Sequence, residues 1–394
     1  MKIAITGDFH LGFNQDALAQ ARNALEACNG ADAVVIAGDI FDSRIPRQET
    51  LNEALQLFSQ AAESLKSDAT VFEMDADGVI TALSNYPPIL AVAGTHERRS
   101  KGLANPIHLL DSALCAVNIH ARKVCIQKDG EKVCFQAMAG VPEEFSRQVL
   151  RKLEFKPVSG AFNVFVFHQS LAEAMPFGDS LAAQDLPDGF DLYVDGHIHW
   201  MAELVEGKKR IFIPGSTVVT QLRKNETRKK QVIIFDTQTG EYEAREFATR
   251  PFLYRDIAFE NPATSADVVA QIDSALTEML SAGHPQTPIV KLKLSGKLAD
   301  GLESKDLDLT AISKRHAGRA ILHIDRDFER KDSVQADAEE LQKARSDPRG
   351  VREISVELFI EALKRRDIEL THSRAEELLD ALCEEDAERA VQLI

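Results

Sequence analysis

The stretch MKIAITGDFHLG, Met1 to Gly12, decides the fold. Lys2 to Thr6 reads as a short apolar strand and Gly7 ends it, so Asp8 and His10 fall on the turn past the strand's C-terminal end. In open α/β sheets that edge is where ligands bind. Two residues apart on a turning backbone, a carboxylate and an imidazole can point the same way and share one cation. A lone Asp after a strand is more often a turn former or a helix cap. The reading gains weight because the pattern recurs.

Ala33 to Ala37 (AVVIA) runs into Gly38-Asp39, and Ile89 to Ala93 (ILAVA) into Gly94-Thr95-His96-Glu97. Asn163 to Phe167 leads to His168, Asp191 to Val194 leads to Asp195-Gly196-His197-Ile198-His199, and Arg210 to Ile213 leads to Pro214-Gly215-Ser216. Asp16 to Ala27 is helical in composition, and Gln48 to Leu65 spaces Leu51, Ala54, Leu55, Phe58 and Ala62 as an amphipathic helix does. This alternation predicts an α/β layered domain. Val124 to Gln127 and Lys132 to Ala137 read as a hairpin closed at Asp129-Gly130, and the later strands that follow without helices predict an antiparallel section.

At 394 residues the chain is long enough for two or three domains. It has no run of eighteen apolar residues and opens directly on a strand, which predicts a soluble, unexported protein with no membrane partner. Five scattered cysteines, odd in number and never in C-x-x-C spacing, argue against a disulfide framework and against a thiolate zinc site, and fit a reducing cytoplasm. A net charge of −16 argues against nucleic-acid binding through overall positive charge, so any such contact must be local. The basic stretches are Glu97 to Gly102, with Arg98, Arg99 and Lys101, and Gly207 to Lys230, with Arg223, Lys224, Lys229 and Lys230. Both are equally readable as solvated surface charge.

From Arg250-Pro251-Phe252 the character changes to a small α+β region to about Phe328, with strands near Tyr254 to Phe259, Ile289 to Leu294 and Ala320 to Asp325 and a helix over Ser265 to Ser281. Glu329 to Gly350 is charged and poor in apolar residues, as linkers are. Beyond it Val356, Phe359, Ile360 and Leu363 share a helical face, and Ser373 with Glu376 resembles a capping box before Leu378, Leu379 and Leu382. Two such short helices suit a partner's groove, or pack back on the body.

The strand-end acids and imidazoles suit manganese, iron or zinc, and Asp39, alone on its strand end, is the natural bridge between two cations about 3.5 to 4 Å apart. His108, His120, His284, His316, His323 and His372 arrive without acidic company and read as structural. Taken in order, GDFH (7–10), GDIFD (38–42), GTHE (94–97), FH (167–168) and GHIH (196–199) resemble the calcineurin-like metallophosphoesterase superfamily. HLG after the first motif, ERR after GTHE, PGS at 214–216, RPF at 250–252 and the terminal helices narrow the resemblance to the double-strand-break repair nucleases of the Mre-eleven (bacterial SbcD) type.

That resemblance implies a four-layer core of two sheets flanked by helices over 1–249, a DNA-capping domain over 250–328, a linker over 329–352 and a helical motif over 353–394 that binds a Rad-fifty (SbcC) type ATPase. It implies a homodimer on DNA ends, in the cytoplasm or on the nucleoid. It also implies two Mn2+ per subunit, with Mg2+, Fe2+ or Zn2+ as substitutes: Asp8, His10, Asp39 and His199 at one, and Asp39, His168, His197 and the residue at 95 at the other. His96 would be the general acid that protonates the departing sugar oxygen or would orient the phosphate, with Asp42 its positioner, for 3′ to 5′ exonuclease and single-strand endonuclease activity. The departure is Thr95, where the family usually has Asn. Two alternatives remain at this stage: a metallophosphatase or small-molecule phosphodiesterase, and a non-catalytic structural subunit. For the dimer face Leu103, Ile107, Leu109 and Leu110 are candidates that core packing explains equally well.

Overall fold

A computed structural model describes residues 1–65, 67–75, 77–100, 102–176, 179–328, 356, 359–360, 363 and 370–383. Lys101, the linker 329–352 and most of the segment 353–394 lie outside the described residues.

Two large sheets form the frame. The first has six strands in the order Tyr242–Glu246, Gln231–Asp236, Lys2–Thr6, Ala33–Ile36, Ile89–Ala91, Val117–Asn118. Its last four strands run parallel, and Gln231–Asp236 joins Lys2–Thr6 antiparallel. The second has eight strands in the order Ala202–Glu206, Lys209–Ile213, Leu192–Asp195, Phe162–Phe167, Glu131–Met138, Lys123–Lys128, Thr70–Met74, Ile80–Ala82. A parallel run there joins Lys209–Ile213 through to Glu131–Met138.

Alternation along each strand assembles the layers. Ile3, Ile5 and Val35 of the first sheet meet Phe135, Val164, Val166 and Val194 of the second in one core between the sheets. Ala4, Val34 and Ile36 face the other way, against Ala21, Ala24, Leu57 and Phe58 of the helices Ala17–Ala27 and Gln48–Leu65. Phe165, Phe167, Tyr193 and Ile211 line the far side of the second sheet with Leu150 of the helix Glu143–Leu153. The order helix, sheet, sheet, helix is the four-layer core that the resemblance implies.

Asp129 and Gly130, both at positive φ, close the hairpin of Lys123–Lys128 and Glu131–Met138 as the Asp-Gly pair predicts. That hairpin corrects the expectation about cysteines. Its register sets Cys125 opposite Cys134, and the two form a buried disulfide. Parity and C-x-x-C spacing cannot detect a pair made by cross-strand register.

Ile107 and Leu110 are core residues, while Leu103 and Leu109 are 52% and 47% exposed, so the four candidates do not form one face. The lone histidines are structural where their bonds are seen: His108 caps the helix Pro106–Ser112, His120 accepts from Ala139 N–H, and His316 pairs with Asp273.

The described chain divides into two compact units. One comprises Met1–Ile257, Val269–Lys293 and Leu309–Asp325; the other comprises Ala258–Val268, Leu294–Asp308 and the described part of Arg326–Ile394. Within the second, Leu378 and Ala381 of the helix His372–Cys383 bury against Phe359, Leu363 and Leu370. That helix begins ahead of Ser373, and Ala375 N–H donates to the Thr371 carbonyl at 2.9 Å. Ser373 is therefore inside the first turn and not its cap. No described helix is long and apolar enough to cross a membrane.

Candidate metal centre

The parallel pairing of Lys2–Thr6 with Ala33–Ile36 continues past the strand ends. Asp8 N–H donates to the Gly38 carbonyl at 3.0 Å, His10 N–H to Asp39 at 2.9 Å and Leu11 N–H to Ile40 at 2.8 Å. Two strand-end loops thus run side by side and bring Asp8, His10 and Asp39 together. All three have left-handed backbone, with φ of 51°, 47° and 46°, a conformation that costs a non-glycine residue about 1–3 kcal/mol and persists only where surroundings enforce it. Neighbouring loops approach so closely that a Cβ at Gly196 would overlap the Ala37 carbonyl oxygen, and one at Gly94 the Asp39 carboxylate.

Three groups of potential ligand atoms result, each within 4.8 Å of one another: Asp8, His10 and His199; His10, Asp39 and His96; Asp39, His168 and His197. His168 Nε2 lies 3.1 Å from Asp39 Oδ2, and His199 Nε2 3.8 Å from Asp8 Oδ2. Both Asp8 carboxylate oxygens and His10 Nε2 are buried with no hydrogen-bond partner. An orphaned buried group costs about 1–3 kcal/mol, more when charged, and a cation satisfies a carboxylate and an imidazole lone pair together. Hard oxygens with imidazole nitrogens and no thiolate match a divalent cation pair.

Hydrogen bonds on the far ring nitrogens fix which nitrogen faces inward. His168 Nδ1 donates to the Ala37 carbonyl at 2.8 Å, so Nε2 faces Asp39. His10 Nδ1 donates to Asp42 Oδ1 at 3.0 Å, so its orphaned Nε2 faces the site. Asp42 thereby holds His10 as well as His96, whose Nδ1 lies 3.4 Å from the same oxygen. Thr95 Oγ1 donates to Asp39 Oδ2 at 3.4 Å and His96 N–H to Asp39 Oδ1 at 2.9 Å. Every strand-end residue singled out in the sequence converges here.

Glu97 and Asp195 stand within the motifs, where the sequence alone assigns neither a role. Buried Glu97 accepts from Phe41 N–H at 2.8 Å and Gly94 N–H at 2.7 Å, tying two strand-end loops together. Asp195 accepts from Gln169 and His197 N–H, each at 3.3 Å. Their signal was acidity directly after a buried strand.

Burial and close charges set the protonation of the metal-free site. Burial would depress the His168 imidazole, but the Asp39 charge and hydrogen bond, with Asp8 behind them, raise it to about 10. Burial resists ionisation of Asp39 too, and the His168 charge and hydrogen bond outweigh it and hold Asp39 well below the usual carboxylate range. Burial raises Asp8 well above its ordinary value. Burial, with the Asp39 charge, lifts Glu97 to about 8, and burial lifts Asp195 to about 7. Burial, with a neighbouring imidazole, drops His197 to about 4 and His199 to about 2.

Near pH 7 the folded, metal-free chain therefore holds protons on His168 and Glu97, and part of one on Asp195, that the unfolded chain has largely released. Stability falls as pH rises from 7 to 8; His197 and His199 are neutral when folded and mostly neutral when unfolded there, and Lys230, lowered in the folded chain, opposes the fall only in part. Urea unfolding of EDTA-treated protein at pH 7.0, 7.5 and 8.0 should show a declining midpoint. Manganese should flatten the decline, since a ligated His168 has already lost its Nε2 proton. A midpoint that stays level or rises without metal contradicts this.

The basic residues are not brought together in the same way. Arg98 and Arg223 are exposed, and Arg99 donates to the Ala104 carbonyl. Lys224 pairs with Asp256 at 3.1 Å and Lys229 with Glu246 at 2.5 Å. Lys230, expected on a DNA-binding surface, is 7% exposed, and its ammonium donates to the His199 carbonyl at 3.2 Å and Ser216 Oγ at 2.9 Å. Burial lowers it to about 8. Its place in the basic run misled because the strand Gln231–Asp236 begins at the next residue and carries it inward.

The fold and this centre define a metallophosphoesterase, and the chain belongs to the calcineurin-like phosphoesterase superfamily, whose domain matches residues 1–240. Among curated proteins it is similar to the double-strand break repair protein MRE11 of Rattus norvegicus, 23% identical over 363 residues that cover 74% of this chain and 50% of that protein. It is 28% identical over 225 residues to the DNA double-strand break repair protein Mre11 of Methanopyrus kandleri, covering 50% of this chain and 44% of that one. The chain thus spans about half the length of the curated relatives it matches. A solved archaeal phosphodiesterase superposes with a TM-score of 0.31 at 15% identity over 63% of this chain and 100% of that one.

Proposed function

We propose that this chain is a manganese-dependent DNA nuclease subunit, a two-metal phosphodiesterase with 3′ to 5′ exonuclease and single-strand endonuclease activity. The observation that carries the phosphodiesterase part is the meeting of the Asp8, His10, His199 and Asp39, His168, His197 groups beside His96. DNA as substrate is supported by the double-strand break repair proteins it resembles. On this reading 1–249 is the catalytic part, 250–328 the DNA-capping part, 329–352 a linker and 353–394 the contact for a Rad-fifty type ATPase, with the chain acting as a cytoplasmic or nucleoid-associated homodimer. Arg98, Arg99, Lys101, Arg223, Lys224 and Lys229 are the DNA contacts.

Asp8, His10, Asp39 and His199 would hold one cation, and Asp39, His168, His197 and Thr95 the other. Bound there, the pair would supply Lewis acidity at the phosphate and lower the pKa of water toward neutral pH. The side chains do the rest. Asp39 joins the two positions, and Asp42 orients His10 and His96 together. With Nδ1 of His96 engaged by Asp42, Nε2 is the nitrogen that hands a proton to the departing sugar oxygen. His96 suits that task because its side chain is 43% exposed at the rim of an otherwise buried cluster.

Turnover of end-labelled DNA, bis-p-nitrophenyl phosphate and p-nitrophenyl phosphate in manganese tests the reading. DNA and the diester should be cleaved and the monoester left largely intact; preference for the monoester would make the chain a phosphatase. Thr95 sharpens the test. A neutral hydroxyl is a poorer hard ligand than an amide oxygen, so Thr95→Asn should lower the manganese concentration for half-maximal cleavage by roughly tenfold, which is about 1.4 kcal/mol of improved binding. An unchanged manganese titration would show that residue 95 does not ligate.

A further inference from the structure

Behind His199, on the side away from Asp8, three residues are engaged with no role assigned so far. Thr220 Oγ1 shares a hydrogen with His199 Nδ1 and lies 3.4 Å from Glu226 Oε1. Glu226, 3% exposed, accepts from the backbone N–H groups of Thr220 and Gln221 at 3.0 Å and Arg223 at 3.1 Å, so one carboxylate folds the loop that presents Thr220. Lys230 donates to the His199 carbonyl and lies 4.0 Å from Glu226 Oε1, holding the backbone of the same histidine.

The direction of these bonds follows from chemistry. A carboxylate only accepts, so the Thr220 hydroxyl gives its one proton to Glu226 and offers a lone pair to His199. His199 then carries its proton on Nδ1, and its Nε2 lone pair is turned to Asp8. We propose that Glu226, Thr220 and Lys230 form a positioning relay that fixes the tautomer and ring of His199, and so sets the affinity of the metal position shared with Asp8 and His10. The relay rests on the two-metal reading given above. These are positioning residues, since none of them reaches the ligand cluster itself.

Manganese binding to the full-length, EDTA-treated protein, followed by calorimetry and by the EPR signal of free Mn2+, tests it without any turnover. The wild type should bind two ions. Thr220→Val keeps the shape and removes the hydroxyl; it should weaken one of the two binding events by about 10- to 100-fold, the usual consequence of losing such an outer partner. The event at Asp39, His168 and His197 should be unchanged, which shows that the fold survives. Thr220→Ser should restore the weakened event to within about threefold of the wild type, since it returns the same donor and acceptor. Wild-type affinities in Thr220→Val, equal weakening of both events, or a serine variant as weak as the valine one would each overturn the relay. A wild type that binds fewer than two ions would overturn the two-metal reading and the relay with it.

Discussion

Asp39→Asn should cost roughly three powers of ten or more in phosphodiester turnover, together with manganese at both positions. Asp39 is 1% exposed, its Oδ2 lies 3.1 Å from His168 Nε2, and it belongs to two of the three ligand groups. Its carboxylate therefore faces imidazoles of both sets. An amide keeps the shape and can still accept from His96 N–H, but it loses the charge that binds a shared cation and presents donors where Oδ2 faced His168. Lewis-acid stabilisation is worth several kcal/mol, and each 1.36 kcal/mol is a factor of about ten. Metal analysis after gel filtration, beside a thermal melt that reports folding, checks this. A folded Asp39→Asn protein that retains two manganese ions would remove Asp39 from the centre.

His96→Gln should lower DNA cleavage by about 10²- to 10⁴-fold, the usual contribution of a general acid, and leave the manganese count unchanged. Its side chain is held by Asp42 from one nitrogen and is half-exposed, so it borders the cluster without being needed to close it. The diagnostic is the leaving group. A sugar alkoxide needs a proton as it departs, whereas p-nitrophenolate leaves without one, so turnover of bis-p-nitrophenyl phosphate should fall far less than turnover of DNA. Equal losses on the two substrates would make His96 a phosphate-orienting or structural residue instead.

The candidate ligands were legible because each follows a buried strand, and the parallel strands of the two sheets bring those ends together. The sequence also marked both main amphipathic helices and the Asp-Gly hairpin, which are local features. Interactions set by register or by the path of a long loop were not legible. Cys125 and Cys134 meet only because two strands pair at one particular offset. Lys230 turns inward because a buried strand starts beside it, and Thr220 reaches His199 from twenty-one residues away along a loop organised by Glu226. Ile107 and Leu110 share their helix with exposed Leu109, and only packing shows which of them face the core. Asp42 was expected behind His96 alone, and its shorter contact to His10 depends on two strand-end loops continuing their ladder beyond the sheet.

The most direct test of the whole account is anomalous diffraction from crystals grown with manganese, recorded above the metal's absorption edge. Two peaks are expected, one among Asp8, His10, Asp39 and His199 and one among Asp39, His168 and His197, with Asp39 beside both. A single peak, or density that leaves His168 and His197 without a metal, would contradict it.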